Sequence, residues 1–115
     1  MFVPKFTPEA MKEIKRLPKN VRNSLRKKIE KVVLKDSIGC SEALSGLLAQ
    51  FRSFHLGDYR LVYRVFEEYK TVAFVGVGKK NPQHYADIYD RLESLIGAGK
   101  LAETFLNGLR AVEKL

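Results

Sequence analysis

The sequence predicts an α+β domain: an N-terminal αα-hairpin packed on a small antiparallel β-meander, followed by C-terminal helices. Three observations carry this. Apolar residues recur at helical spacing over residues 8–34, interrupted by Pro18. Three runs rich in β-branched and aromatic residues follow, two of them joined by Gly57-Asp58. Helical spacing then returns after Asn81-Pro82. A length of 115 residues leaves room for one modest core. It excludes a multidomain enzyme and a two-domain cofactor enzyme.

Phe2 to Phe6 reads as a short extended segment, and Pro4, lacking a backbone N–H, assigns it to a sheet edge. Thr7-Pro8-Glu9 is a helix start: a hydroxyl N-cap, proline at the first helical position and an acid in the first turn. The first helix runs to about Leu17, with Ala10, Met11, Ile14 and Leu17 on one face, and Pro18 stops it. The second runs from about Asn20 to Leu34. Val21, Leu25, Ile29, Val32 and Val33 form its apolar stripe, and Arg22, Arg26, Lys27, Lys28, Lys31 and Lys35 lie mostly opposite. Residues 36–47, rich in Ser and Gly, read as a loop. Leu48 to Leu56, Tyr59 to Phe66 and Thr71 to Val77 read as strands. Gly57-Asp58 is a two-residue turn, with glycine first favouring type II′, and Glu67 to Lys70 closes a second hairpin. A helix over about 82–96 carries Tyr85, Ile88, Leu92 and Leu95 on one face. Gly97-Ala98-Gly99 breaks it. A last helix over about 101–113 carries Leu101, Phe105, Leu109 and Val112. One domain over 1–97 and a helical extension of it over 98–115 are expected.

The charge is segregated. Residues 1–35 hold eleven Lys/Arg and three Glu, while residues 36–115 hold ten of each sign, so the whole net charge of +8 sits in the N-terminal third. Such a block marks a polyanionic partner, nucleic acid or an acidic protein segment, or else a solvated helix face. No stretch approaches the ~18–20 apolar residues of a membrane span. The N-terminus has no signal-peptide pattern, and the single Cys40 reads as an idle thiol in a reducing cytosol.

The hairpin turn dictates a surface. It pairs Leu56 with Tyr59, His55 with Arg60, Phe54 with Leu61 and Ser53 with Val62. Alternation then gives one apolar face, Phe54, Leu56, Tyr59, Leu61, Tyr63 and Val65. The other face carries Phe51, Ser53, His55, Arg60, Val62 and Arg64 and is expected to be open, polar and cationic. An Arg beside a His can hold a phosphate and move a proton near neutral pH; an ordinary solvated sheet face is the alternative. Arg52 falls on the apolar parity and needs a bulge or a strand end to reach the same surface. Other motifs fail. Gly76-Val77-Gly78-Lys79 lacks the P-loop spacing, two His and one Cys at unrelated positions make no metal-ligand cluster, and no cofactor is expected.

His55-Leu56-Gly57-Asp58-Tyr59-Arg60-Leu61-Val62-Tyr63, then Val75-Gly76-Val77-Gly78-Lys79-Lys80, then Tyr85, resembles the RelE/ParE superfamily of bacterial and archaeal toxins, over about residues 2–96. The resemblance implies a toxin paired with an antitoxin. In the RelE branch this is a ribosome-dependent mRNA endoribonuclease, in which a cationic sheet face holds the scissile phosphate and the RNA's own 2′-hydroxyl attacks it. Arg60 matches the hairpin arginine, Lys80 the basic residue at the strand end and Tyr85 the aromatic of the last helix. Two outward lysines of that branch fall on Ser53 and His55, so His55 takes the part of a proton carrier. His55, Arg60, Lys80 and Tyr85 are the catalytic candidates, and Arg52, Arg64, Lys79 and His84 the candidates for RNA or phosphate binding. The expected partners are mRNA, the ribosome and an antitoxin with an acidic amphipathic segment, in the cytoplasm, without a membrane. A homodimer and a heterotetramer with the antitoxin both stay open. Two alternatives stand beside this: a non-catalytic ParE-type toxin that blocks a protein such as DNA gyrase, and a basic nucleic-acid-binding module.

Overall fold

Thr7 caps the first helix as its sequence requires. In the computed structural model, which describes residues 1–79, 88–94 and the two-residue strand at 110–111, the Thr7 hydroxyl accepts the Ala10 N–H at 3.2 Å. Helix α1 spans Pro8–Lys15 and α2 spans Lys19–Lys28. The second helix continues as one π-helical turn, Ile29–Val33, with Ile29 and Val33 buried. The strands are β1 Val3–Phe6, β2 Glu42–Ala43, β3 Phe51–Leu56, β4 Tyr59–Phe66, β5 Thr71–Lys79 and β6 Arg110–Ala111. Residues 88–94 are helical and are termed α3. The sheet order is β2-β3-β4-β5-β1-β6.

The α+β expectation holds. β3, β4 and β5 form the antiparallel meander, and α1 and α2 cover one of its faces. Phe6, Ile14, Leu25, Leu61, Tyr63 and Phe74 are buried between them. The Phe6 and Phe74 rings stack at 4.8 Å, and Tyr63 meets Phe74 edge-on at 5.5 Å.

Several expectations need correction. The strand read from Leu48 begins only at Phe51, because Gly46, at φ +64°, opens a 3₁₀ turn over Gly46–Leu48. Leu48 is apolar because it packs beneath the sheet, not because it belongs to it. The loop over 36–47 contains β2, which pairs with Ser53 and Arg52. β1 is parallel to β5 and has a neighbour on each side. Pro4 is tolerated there because Val3 donates its N–H to Lys70 O, just before β5, at 2.7 Å and Thr7 donates to Phe74 O in β5 at 3.0 Å. Alternation turns the missing N–H outward, and β6 pairs only with Lys5 and Phe6. Arg110 and Ala111 are therefore strand, not part of a helix over 101–113, since the outward backbone groups of β1 after Pro4 accept a ladder partner. The rest of that helix, and 82–87 and 95–96 of the one before it, lie outside the described residues.

The largest correction concerns the second sheet face. It is not open: Phe51, Val62, Val75, Ile88 and Leu92 form a second buried cluster, in which α3 covers the sheet. A bulge in β5 assists. Val62 pairs with Gly76 but Tyr63 pairs with Phe74, so Val75 is an extra residue. Val75 and Gly76 both face α3. A Cβ at Gly76 would stand 2.9 Å from Ile88 Cδ1, so only glycine admits the helix at this distance. Beyond Phe74, β5 runs past the end of β1. Its edge is capped instead by side chains from both layers. The Glu13 carboxylate accepts the Val77 N–H at 3.4 Å, Arg91 donates to the Val75 carbonyl, and Arg91 Nη2 lies 3.6 Å from Glu13 Oε1. This satisfies ladder groups that would otherwise template pairing with another chain.

Candidate active site

The β3–β4 turn forms as its residues dictate. Gly57 takes φ +57° while Asp58 stays at negative φ, the pattern of a type II′ turn. The register is the expected one: His55 opposite Arg60, Leu56 opposite Tyr59, Phe54 opposite Leu61 and Ser53 opposite Val62. His55 and Arg60 therefore share one face, with Cβ atoms ~4.5–5.5 Å apart. His55 is exposed and Arg60 half-buried. On its other side Arg60 pairs with Gly78, which presents no side chain on that face. The pair sits at the turn end of the second face, past the apolar contacts of α3 at Phe51, Val62 and Val75. A cation and an imidazole side by side can hold a phosphodiester and exchange its neighbouring proton.

The other candidates separate. Ser53, on the same face, is buried, and its hydroxyl has no hydrogen-bond partner among the described residues. Arg64 faces the same way but lies four residues, about 13 Å, along β4 from Arg60. Its guanidinium lies 4.4 Å over the Phe66 ring, and burial lowers its pKa against the opposing pull of Glu68. Arg52 is on the opposite face, and β3 has no bulge to turn it. Its guanidinium donates to Ser41 Oγ at 2.7 Å, to Ser41 O at 2.8 Å and to Ile38 O at 3.1 Å, so it holds the 38–41 loop against the sheet. Lys79 pairs with Tyr59 and faces the α1 side. Lys80, His84 and Tyr85 lie outside the described residues.

The bulge at Val75 decides where Lys79 goes. Had alternation continued unbroken from Phe74, Lys79 would share the face of Arg60. A glycine inside a strand is the sequence signal for such a bulge, and Val75-Gly76 carried it. Beneath the helix side, Tyr63 is fully buried and donates its hydroxyl to Ser37 O at 2.6 Å. The half-buried Cys40 Sγ lies 3.5 Å from that hydroxyl. Burial, with the Cys40 contact adding to it, pushes the Tyr63 phenol well above its ordinary value of 10. Among the described residues no group of three or more His, Cys, Asp or Glu converges to hold a metal. No helix among them is long and apolar enough to cross a membrane.

The family model for the ParE toxin of type II toxin-antitoxin systems, parDE, matches residues 5–85. The chain belongs to this toxin family. No curated protein matches its sequence. Among solved structures, the toxin is similar to isolated RelE of Escherichia coli at 30% identity and TM-score 0.61, covering 79% of this chain and 98% of that one. It is 33% identical to a chain of the intact E. coli RelBE toxin-antitoxin complex, at TM-score 0.60, covering 69% of this chain and 96% of that one. A chain of the RelBE2 complex of Mycobacterium tuberculosis shares the fold at TM-score 0.65 and 24% identity, over 68% of this chain and 96% of that one. The toxin is thus a RelE/ParE superfamily member with a RelE-like fold.

Proposed function

We propose that this toxin is a metal-independent endoribonuclease that cuts mRNA on the ribosome. The observation that supports the reading is the cross-strand pair of an exposed His55 and a half-buried Arg60 at the turn end of the second sheet face. The reaction asks for charge on the phosphate and for a proton carrier. Arg60 contacts the non-bridging oxygens and stabilises the charge that grows on them. His55 accepts the 2′-hydroxyl proton, a general-base role that an imidazole nitrogen can fill. O2′ then bonds to phosphorus, the P–O5′ bond breaks, and O5′ takes a proton from Lys80, Tyr85 or water. The products are a 2′,3′-cyclic phosphate and a 5′-hydroxyl.

The similar E. coli and M. tuberculosis toxin chains were crystallised in toxin-antitoxin complexes. This supports a cognate antitoxin for the present toxin. An acidic amphipathic segment would complement the +8 block of residues 1–35. The match to the ParE family model favours a second reading, a toxin that blocks a protein target such as DNA gyrase without chemistry.

Two assays on the same variants separate the two readings. His55→Gln should slow cleavage of mRNA bound to intact ribosomes by roughly 10²–10⁴-fold, and Arg60→Ala by about 10²-fold or more, both with unfolding temperatures close to wild type. A substrate with 2′-deoxyribose at the cut should be inert. Cleavage of that substrate defeats the mechanism. Growth arrest that persists unchanged in both variants transfers the function to target binding.

A further inference from the structure

Directly across β4 and β5 from Arg60 lies a cleft of about 580 Å³ that the His55–Arg60 pair does not use. Its size falls within the ~300–1,000 Å³ of small-ligand sites. One wall is the end of α1 and the turn after it, with Arg16, Leu17 and Pro18. The other is the end of the sheet, with Tyr59, Val77 and Lys79. Arg16 and Lys79 are exposed and form no salt bridge among the described residues. Glu13 also borders the cleft, but its carboxylate stands against Arg91 and accepts the Val77 N–H, so its charge is offset. The uncommitted charge of the cleft is therefore positive, and it flanks apolar walls and a half-buried aromatic ring.

That combination suits one unpaired nucleotide: two cations for a phosphate and a ring for a base, a contact that every base can make. Position adds a second argument. Tyr59 pairs with Lys79, and the next pair along the same two strands is Arg60 with Gly78. The bulge at Val75 is what turns Lys79 to this side while Arg60 stays on the other. We propose that the cleft is a subsite for a nucleotide flanking the scissile phosphate, so that a single RNA strand crossing the ends of β4 and β5 engages both sides of the sheet. This rests on the nuclease reading.

The test is binding of a single-stranded octaribonucleotide, blocked by 2′-O-methyl groups, followed by fluorescence anisotropy across a salt series. Arg16→Ala and Lys79→Ala should each weaken binding roughly three- to tenfold and lower the salt slope by about one. Tyr59→Leu should weaken it roughly fivefold or more. Lys28→Ala, an exposed cation on α2, should have a much smaller effect. Arg16 and Lys79 are surface residues, so their variants keep the question open to measurement even if Tyr59→Leu unfolds. Equal effects of Lys28 and the cleft variants overturn the inference and leave the nuclease reading intact. Weakened capture of an acidic peptide, with RNA binding unchanged, overturns it in favour of a protein ligand. Absence of RNA binding by the wild type overturns the inference and leaves cleavage on the ribosome to its own assay. Cleft-dependent RNA binding without cleavage leaves a nucleotide site there but overturns its place beside a scissile phosphate, together with the nuclease reading.

Discussion

Replacing Tyr63 by Phe removes one hydroxyl from the interior, and the structure predicts an effect whose size depends on pH. At pH 8 the variant loses the 2.6 Å bond from the phenol to Ser37 O. That carbonyl still accepts the Ser41 hydroxyl at 2.7 Å, so no buried acceptor is orphaned. The cost is therefore an ordinary net hydrogen bond, about 1 kcal/mol. In alkali a second effect opposes it. Burial holds the phenol pKa in the folded chain above its value of 10 when unfolded. Above pH 10 the unfolded wild type ionises Tyr63 while the folded state keeps the proton. Stability contributed by this group is complete below pH 10 and is lost as pH rises, at a limiting slope of about 1.4 kcal/mol per pH unit. Phenylalanine escapes that loss, and the other titrating groups cancel between the two proteins. The wild-type advantage of about 1 kcal/mol at pH 8 should thus shrink to nothing near pH 11. Urea unfolding followed by far-ultraviolet circular dichroism at pH 8, 10 and 11 measures the difference. A gap that stays constant across this range would mean that Tyr63 ionises as readily folded as unfolded, and the account of its burial would be wrong.

Two further outcomes follow from close packing and from the loop anchor. Gly76→Ala should destabilise by about 1–3 kcal/mol through overpacking against Ile88, and adding Ile88→Val should recover part of the loss; thermal unfolding of the single and double variants decides it, and full additivity would show that the two residues do not meet. Arg52→Ala should release the 38–41 loop, raising amide exchange and protease cleavage there, while RNA binding stays near wild type. Weaker RNA binding with the loop still protected would return Arg52 to the RNA.

Residue periodicity and turn chemistry determined much of this toxin locally. Thr7-Pro8-Glu9 and Pro18 delimit α1 because capping and proline sterics act over a few residues. Gly57-Asp58 set the hairpin register, and with it the pairing of His55 and Arg60, because a two-residue turn leaves no freedom to slip. Tertiary packing decided the rest. The parallel pairing of β1 with β5 joins residues far apart in the chain, which no local pattern encodes. Phe51 and Val62 were legible as apolar, but only α3 lying on them made their face an interior and restricted the candidate site to its turn end. Arg52 and Lys79 read as cations in either case. Arg52 was claimed by the carbonyls of a loop that folds back from residues 38–41. Lys79 was turned to the helix side by one extra residue in β5. A side chain's chemistry is local, whereas the face it occupies depends on the register of the whole sheet, and a single bulge reverses the faces of the residues that follow it.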